Sequence, residues 1–131
     1  DIITLNMLLT PETEHILNRE AFSMMERKPV IVNVSRGQLI DEAALVEALD
    51  SGKVFGAGLD VLTDETNEGT LTNPFVGREN VILTPHSAFY SDKALYECQR
   101  IASENLVHIL RGEQEDVFRM VNHVDVTGNK A

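Results

Sequence analysis

The stretch Val30-Ile31-Val32-Asn33-Val34-Ser35-Arg36-Gly37 decides the fold of this chain. Its apolar residues run almost without alternation, which predicts a strand covered on both faces, as in a parallel sheet with helices on each side. Arg36 follows the carboxyl end of this strand, and open α/β sheets bind ligands at that edge. The pattern therefore favours an Arg36 that faces a ligand, with Gly37 allowing a sharp turn beside it. An arginine that is merely solvated fits the octapeptide equally well.

Length and composition indicate an ordinary globular domain. The chain has 131 residues, of which 43% are hydrophobic, and a mean hydropathy of −0.11. Its net charge of −10 opposes binding to nucleic acids or anionic membranes, because both require basic patches. No apolar stretch approaches the length of a membrane span.

The single Cys98 cannot form an internal disulfide, and no secretory leader is recognisable. A reducing cytoplasm is therefore the expected location. The chain also opens at Asp1, directly before a strand-like segment, so we expect a fragment of a longer polypeptide.

Short apolar strands alternate with helices along the chain. Strands are predicted at 2–5, 30–34, 54–61 and 81–83. Helices are predicted at 19–25, 42–50 and 92–111, after the N-cap residues Asn18, Asp41 and Ser91. We expect buried side chains at Phe22, Met24, Met25 and Cys98, and no regular structure between 62 and 78. This order predicts a parallel sheet with right-handed crossovers.

The carboxyl ends of parallel strands meet at one edge of the sheet. Asn6, Arg36, Asp60 and His86 each follow a predicted strand, so we expect them to line the same rim. Glu65 in the long connection can fold back to this rim. Asp64 and Glu68 are close enough in sequence to take its place.

These side chains suit one reaction. Arg36 can hold a substrate carboxylate through its planar guanidinium group. His86 can exchange a proton with a hydroxyl or carbonyl oxygen near neutral pH. Glu65, if hydrogen-bonded to His86, would favour the imidazolium form and fix its tautomer. The set is suited to hydride transfer between a nicotinamide cofactor and a 2-keto acid.

Four sequence blocks carry a resemblance to a known family. They are Asn33-Val34-Ser35-Arg36-Gly37, Leu49-Asp50-Ser51-Gly52-Lys53, Gly56-Ala57-Gly58-Leu59-Asp60-Val61 and Leu83-Thr84-Pro85-His86. In this order they closely resemble the NAD-dependent D-isomer-specific 2-hydroxyacid dehydrogenases. The resemblance implies an α/β fold in which residues 1–112 form the C-terminal portion of a Rossmann-like NAD-binding domain. Residues 113–131 would then be a tail that returns to a substrate domain missing from this chain.

The resemblance also implies roles for individual residues. Arg36, Glu65 and His86 match the family's catalytic arginine, glutamate and histidine. The implied cofactor contacts are Met7, Leu8, Thr13, Val34, Ser35, Arg36 and Asp60. The block from His86 to Tyr90 is most similar to the D-lactate dehydrogenase branch, which implies D-lactate and pyruvate as substrates. NAD is the implied cofactor, and the complete protein would be a homodimer.

The chain departs from the family pattern at several points. Asn6 and Leu8 stand where the family usually has His and Pro, and Thr66 stands where it often has Pro. The phosphate-binding G-x-G-x-x-G turn is not in this sequence, so we expect the chain to lack the helix N-terminus that holds pyrophosphate. No metal site is expected, because His15, His108 and His123 have no partners at metal-ligand spacing.

Two other classes of protein also fit parts of this sequence. The missing phosphate turn favours a non-catalytic regulatory or partner-binding module that retains the dehydrogenase fold, whereas the set of Arg36, Glu65 and His86 favours an enzyme. A receiver-like signalling domain has less support, because it needs an acidic cluster where Asn6 stands. The identity of the 2-hydroxy acid and the choice between NAD and NADP stay open at this stage.

Overall fold

The computed structural model describes residues 1–118, apart from the side chain at position 67, in two compact units that divide after Ala88. The first unit contains a parallel four-stranded sheet in the order β1-β2-β3-β4. The strands are β1 (Ile2–Leu5), β2 (Val30–Asn33), β3 (Gly56–Leu59) and β4 (Val81–Leu83). All four predicted strands are confirmed, although β3 is shorter than the predicted 54–61.

The helices are α1 (Arg19–Ser23), α2 (Glu42–Asp50), α3 (Asn67–Thr72) and α4 (Asp92–Arg111). The predicted caps are confirmed, because the side chains of Asn18, Asp41 and Ser91 accept hydrogen bonds from main-chain amides at 3.0, 3.1 and 3.2 Å. α4 ends at Gly112, whose φ of +75° is the left-handed conformation that glycine adopts easily.

Two predictions about helices were wrong. α1 ends at Ser23 rather than Met25, with Met24 as its C-cap. Because the chain leaves the helix at Met24, this side chain is not in the core and is 70% exposed. The connection from Leu62 to Arg78 is not structureless, because it contains α3. The Thr66 side chain caps α3 by accepting a hydrogen bond from the amide of Gly69 at 3.1 Å.

The hydrophobic core lies between one face of the sheet and helices α1 and α2. Ile31 of β2 and Leu45 of α2 are completely buried within it, and Phe22 of α1 is buried beside them. On the opposite face Ile2 and Ile82 are 71% exposed. The sequence predicted that both faces of β2 are covered. In the described residues only one face of β2 is fully buried.

In the second unit α4 has no buried residue. Cys98 is exposed, which corrects the prediction that it is a buried small hydrophobe. Helical spacing shows which residues share a face, but it does not show whether that face is covered. Phe118 pairs with the side chain of Asn105 through its amide and carbonyl, whereas the predicted apolar pair Met120-Val121 lies outside the described residues. Within the described residues no helix has the length and apolar character needed to cross a membrane.

Candidate active site

The three predicted catalytic side chains lie around one cavity of about 300 Å³. Arg36 follows β2, His86 follows β4, and Glu65 enters from the connection between β3 and β4. The rest of the lining comprises Gly37, Gln38, Leu62 and Thr63. The sequence pattern predicted none of these four as site residues, and assigned Gly37 only a turn beside Arg36. The approach of Leu62 and Thr63 depends on the path of the loop.

Glu65 and His86 form a direct pair. Glu65 Oε2 lies 2.9 Å from Nδ1 of His86, and both side chains are a little under half exposed. The second carboxylate oxygen of Glu65 accepts a hydrogen bond from the amide of Leu62 at 3.2 Å. Because an ionised carboxylate can only accept, this contact favours the tautomer with a proton on Nδ1.

The structure places Glu65, not its sequence neighbours, against the imidazole. Asp64 Oδ1 accepts a hydrogen bond from the amide of Thr66 at 2.9 Å. Its side chain also lies directly over Gly69, where a Cβ atom would contact the carboxylate. Glu68 lies in α3.

Asp60 holds the loop that carries His86. Its side chain is 5% exposed and accepts hydrogen bonds from the amides of Ser87 at 2.9 Å and Ala88 at 2.8 Å and from the hydroxyl of Thr84. The amide of His86 donates to the main-chain oxygen of Asp60 at 2.9 Å. His86 has a φ of +50°, a conformation that is unfavourable for a residue with a side chain unless its surroundings impose it.

These contacts also set the charge of Asp60. Burial is the largest influence and raises the pKa of Asp60, but the hydrogen bonds from Thr84, Ala88 and Ser87 and the nearby His86 together outweigh it. The pKa of Asp60 is therefore lowered, and the carboxylate is ionised at neutral pH. In the described residues Asp60 thus positions the histidine loop, a role that sequence reasoning missed. Contact between Asp60 and a cofactor stays a prediction.

The turn that presents Arg36 is built by Asn33, which is buried at the end of β2. Its side chain donates to the carbonyl of Arg36 at 2.8 Å and accepts from the amide of Ser35 at 3.0 Å. The chain turns at Gly37, which begins the 3-10 turn Gly37–Leu39, but Gly37 does not have a positive φ, so the turn itself does not require glycine. Glycine is required there for space, because a Cβ atom would lie 2.1 Å from the carbonyl carbon of Leu62.

A second cavity, of about 670 Å³, lies at the ends of β1 and β2. It is lined by Asn6, Met7, Leu8, Leu9, Val34, Ser35 and Arg36, which include five of the predicted cofactor residues. Leu8 is 82% exposed, and Met7 and Val34 are also exposed. Apolar side chains on both sides of an open cavity fit a flat aromatic ring such as nicotinamide. Met7, Leu8 and Val34 would hold this group.

The other two predicted cofactor residues, Thr13 and Asp60, do not line this cavity. Thr13 instead contacts its own loop. Its hydroxyl donates to the carbonyl of Leu8 at 2.8 Å and accepts from the amide of Thr10 at 2.8 Å. Thr13 therefore shapes the loop that carries Leu8.

His108 has acidic neighbours that its sequence context did not reveal. Its Nδ1 lies 2.8 Å from Glu113 Oε2, and a ligand atom of Asp116 lies within 4.8 Å of both. The turn at Gly112 brings them together, because the amide of Glu113 donates to the carbonyl of His108 at 2.9 Å. A hydrogen bond accounts for the contact between His108 and Glu113. The absence of a metal site stays a prediction. His123 lies outside the described residues.

Comparison with known proteins agrees with this geometry. The family model of the D-isomer specific 2-hydroxyacid dehydrogenase NAD binding domain matches residues 1–88. D-3-phosphoglycerate dehydrogenase of Methanocaldococcus jannaschii is 43% identical over 123 residues, which are 93% of this chain and 23% of that protein. D-lactate dehydrogenase of Lactiplantibacillus plantarum is 40% identical over 120 residues, covering 83% of this chain and 34% of that protein.

The chain is also similar to a solved structure of a D-lactate dehydrogenase. The crystal structure of D-lactate dehydrogenase from Aquifex aeolicus, complexed with NAD and lactic acid, has a TM-score of 0.80 and 32% identity. It covers 88% of this chain, and this chain covers 38% of it. The chain thus spans between 23% and 38% of the length of these three proteins. The predicted Rossmann-like sheet and the predicted cofactor, NAD, are confirmed. The chain belongs to the D-isomer specific 2-hydroxyacid dehydrogenase family, within its NAD-binding domain.

Proposed function

We propose that this chain carries the catalytic residues of an NAD-dependent dehydrogenase that interconverts a small 2-keto acid and its D-2-hydroxy acid, such as pyruvate and D-lactate. One observation carries the proposal. Glu65 and His86, which are 2.9 Å apart, line the same cavity of about 300 Å³ as Arg36. A cation and a proton donor that line one small cavity match the carboxylate and the carbonyl of a 2-keto acid.

Arg36 would bind the substrate carboxylate. Its guanidinium group is exposed at the cavity, and one nitrogen donates to the carbonyl of Ser35 at 2.7 Å, which limits its freedom. The planar fork can make two parallel hydrogen bonds to a carboxylate, and this fixes the orientation of the substrate. The carbonyl next to that carboxylate would then point towards His86.

His86 would transfer the proton. With Nδ1 against Glu65, its Nε2 can donate a proton to the carbonyl oxygen during reduction and accept it from the hydroxyl during oxidation. The Glu65 carboxylate stabilises the imidazolium form that reduction requires. When bound, NAD supplies or accepts the hydride.

The substrate is the finer part of the proposal. The similarity of the block from His86 to Tyr90 to D-lactate dehydrogenases supports lactate. The relatives bear names with different substrates, D-3-phosphoglycerate and D-lactate, so the assay must compare several acids. We also infer a homodimer, which analytical ultracentrifugation of the native protein tests.

The test is NADH oxidation by the native protein with pyruvate, hydroxypyruvate, glyoxylate and a longer 2-keto acid. We expect turnover that is fastest with pyruvate and a product of D configuration by chiral chromatography. His86→Gln should lower kcat about 10²-fold to 10⁴-fold, while the control His108→Gln should leave it unchanged. An L product, or no turnover with any of these acids, would overturn the proposed reaction.

A further inference from the structure

We propose that Glu42 is a positioning residue that sets Glu65 against His86 by tethering both ends of the loop Thr63–Asn73. The proposal rests on the proposed function, because Glu65 matters only if His86 transfers a proton. It assigns a role in this reaction to a side chain that lies outside the cavity.

Glu42 is the first residue of α2, and in the described contacts its side chain does not cap its own helix. An acidic residue in the first turn usually complements the helix dipole or caps free amides. Asp41 already caps α2 by accepting from the amide of Ala44 at 3.1 Å. The Glu42 carboxylate instead extends to another segment of the chain. One oxygen accepts from the amide of Thr63 at 2.7 Å, and the other accepts from the Asn73 side-chain amide at 3.2 Å.

The two contacts fall at the two ends of one loop. Thr63 directly follows Leu62, whose amide donates to Glu65 at 3.2 Å. Asn73 is buried and also accepts from the amide of Phe75 at 3.0 Å, and Phe75 lies in the core. Glu65 therefore lies on a short exposed segment whose two ends are held by the same carboxylate.

Gly37 reinforces this arrangement at the first end. The main-chain atoms of Leu62 and Thr63 pack so closely on Gly37 that a Cβ atom there would lie 2.3 Å from the nitrogen of Thr63. Gly37 follows Arg36 directly, and Glu42 lies a few residues beyond it. The segment that presents Arg36 therefore also packs against the main chain of Leu62 and Thr63, shortly before Glu65. The positions of Arg36 and Glu65 are thus fixed by the same contact.

Without Glu42 the loop would lose both contacts with α2. The amide of Thr63 and the side chain of Asn73 would then bond to water, and Glu65 would spend less time against the imidazole. The expected consequence is a weaker preference for the imidazolium form of His86, with the fold intact.

The test is Glu42→Gln in the native protein. The glutamine oxygen can still accept from Thr63, but its NH₂ group would face the NH₂ group of Asn73, so two donors oppose each other. Adding Asn73→Asp restores an acceptor at that position, keeps one oxygen for the amide of Phe75 and returns the net charge to its original value. Glu47→Gln is the matched control, because it removes one carboxylate from α2 at a site that pairs only with Arg19 in the described contacts.

Glu42→Gln loses the bond to Asn73 and replaces the charge-assisted bond to Thr63 with a weaker neutral one. We therefore expect amide hydrogen exchange at Leu62 and Thr63 to be about tenfold faster, measured by NMR without substrate. The substitution should lower kcat of keto-acid reduction about tenfold and move the reduction limb of the pH profile to lower pH, which is also the effect expected of Glu65→Gln. The Kd for NADH and the circular dichroism spectrum should not change. The double variant should restore exchange, kcat and the pH profile, and Glu47→Gln should alter none of them.

Two results would overturn the role of Glu42. In the first, Glu42→Gln leaves amide hydrogen exchange and the pH profile of reduction unchanged, although Glu65→Gln shifts that profile. The other is a loss of kcat that the double variant does not restore. Because the exchange measurement needs no substrate, it tests the tether even if no keto acid is turned over, so the two proposals fail separately.

Discussion

The carbonyl of Asp60 accepts a hydrogen bond from the amide of His86 at 2.9 Å, while the carboxylate of the same residue holds the two residues that follow the histidine. The strands that precede them, β3 and β4, are neighbours in the sheet. The buried aspartate thus fixes the left-handed conformation of His86. This preorganisation is what a proton-transfer residue requires.

Asp60→Asn should destabilise the protein. An amide offers one acceptor oxygen, and its NH₂ group would face the donors that the carboxylate now receives. We expect the free energy of unfolding to fall by about 1–3 kcal/mol, measured by urea denaturation, with a loss of kcat. Asp50→Asn is the control, because Asp50 pairs with Arg78 and is 60% exposed, so little change is expected. Equal effects of the two substitutions would contradict the role given to Asp60.

The lowered pKa of Asp60 makes its contribution depend on pH. A carboxyl group with a lowered pKa in the folded state stabilises the protein above its unfolded value of about 3.9. This stabilisation is lost as the pH falls from there through the folded pKa. The difference in unfolding free energy between wild type and Asp60→Asn should therefore be constant near neutral pH and shrink below about pH 4. If the difference in unfolding free energy is the same at pH 7 and in acid, the negative charge of Asp60 does not contribute to stability.

Much of the fold could be predicted because the deciding signals are local. Asn18, Asp41 and Ser91 were predicted as caps, since each precedes a helical pattern and its side chain reaches amides only three residues away. The rim of the sheet could also be predicted, because parallel strands place their carboxyl ends together. The proximity of Arg36 and His86 follows from this rule alone.

The remaining features depend on contacts between distant segments. The choice between Glu65 and Asp64 required the path of the loop, and α3 forms from Thr and Gly residues that are poor helix formers. The close approach of Gly37 to Leu62 and the contacts of Glu42 likewise join separate elements. Local pattern carries no signal for such pairs.

Arg36→Lys should raise KM for the keto acid in the native protein. An ammonium group keeps the charge but cannot make two parallel hydrogen bonds to a carboxylate. We expect an increase in KM of about tenfold, with a smaller change in kcat, in steady-state kinetics. Arg19→Lys is the control, because Arg19 pairs with Glu47 on the exposed surface. Unchanged kinetics in Arg36→Lys would remove Arg36 from the substrate site.

The pairing of Glu65 with His86 is the central claim, and the pH dependence of kcat/KM in both directions tests it most directly. Reduction needs His86 protonated and oxidation needs it neutral, so the native protein should show opposite pH limbs governed by one group. Glu65→Gln removes the charge and keeps the size, and we predict that its reduction limb moves to lower pH while the protein stays folded. Asp64→Asn should leave the limb in place. A pH profile that Glu65→Gln does not move would contradict the account.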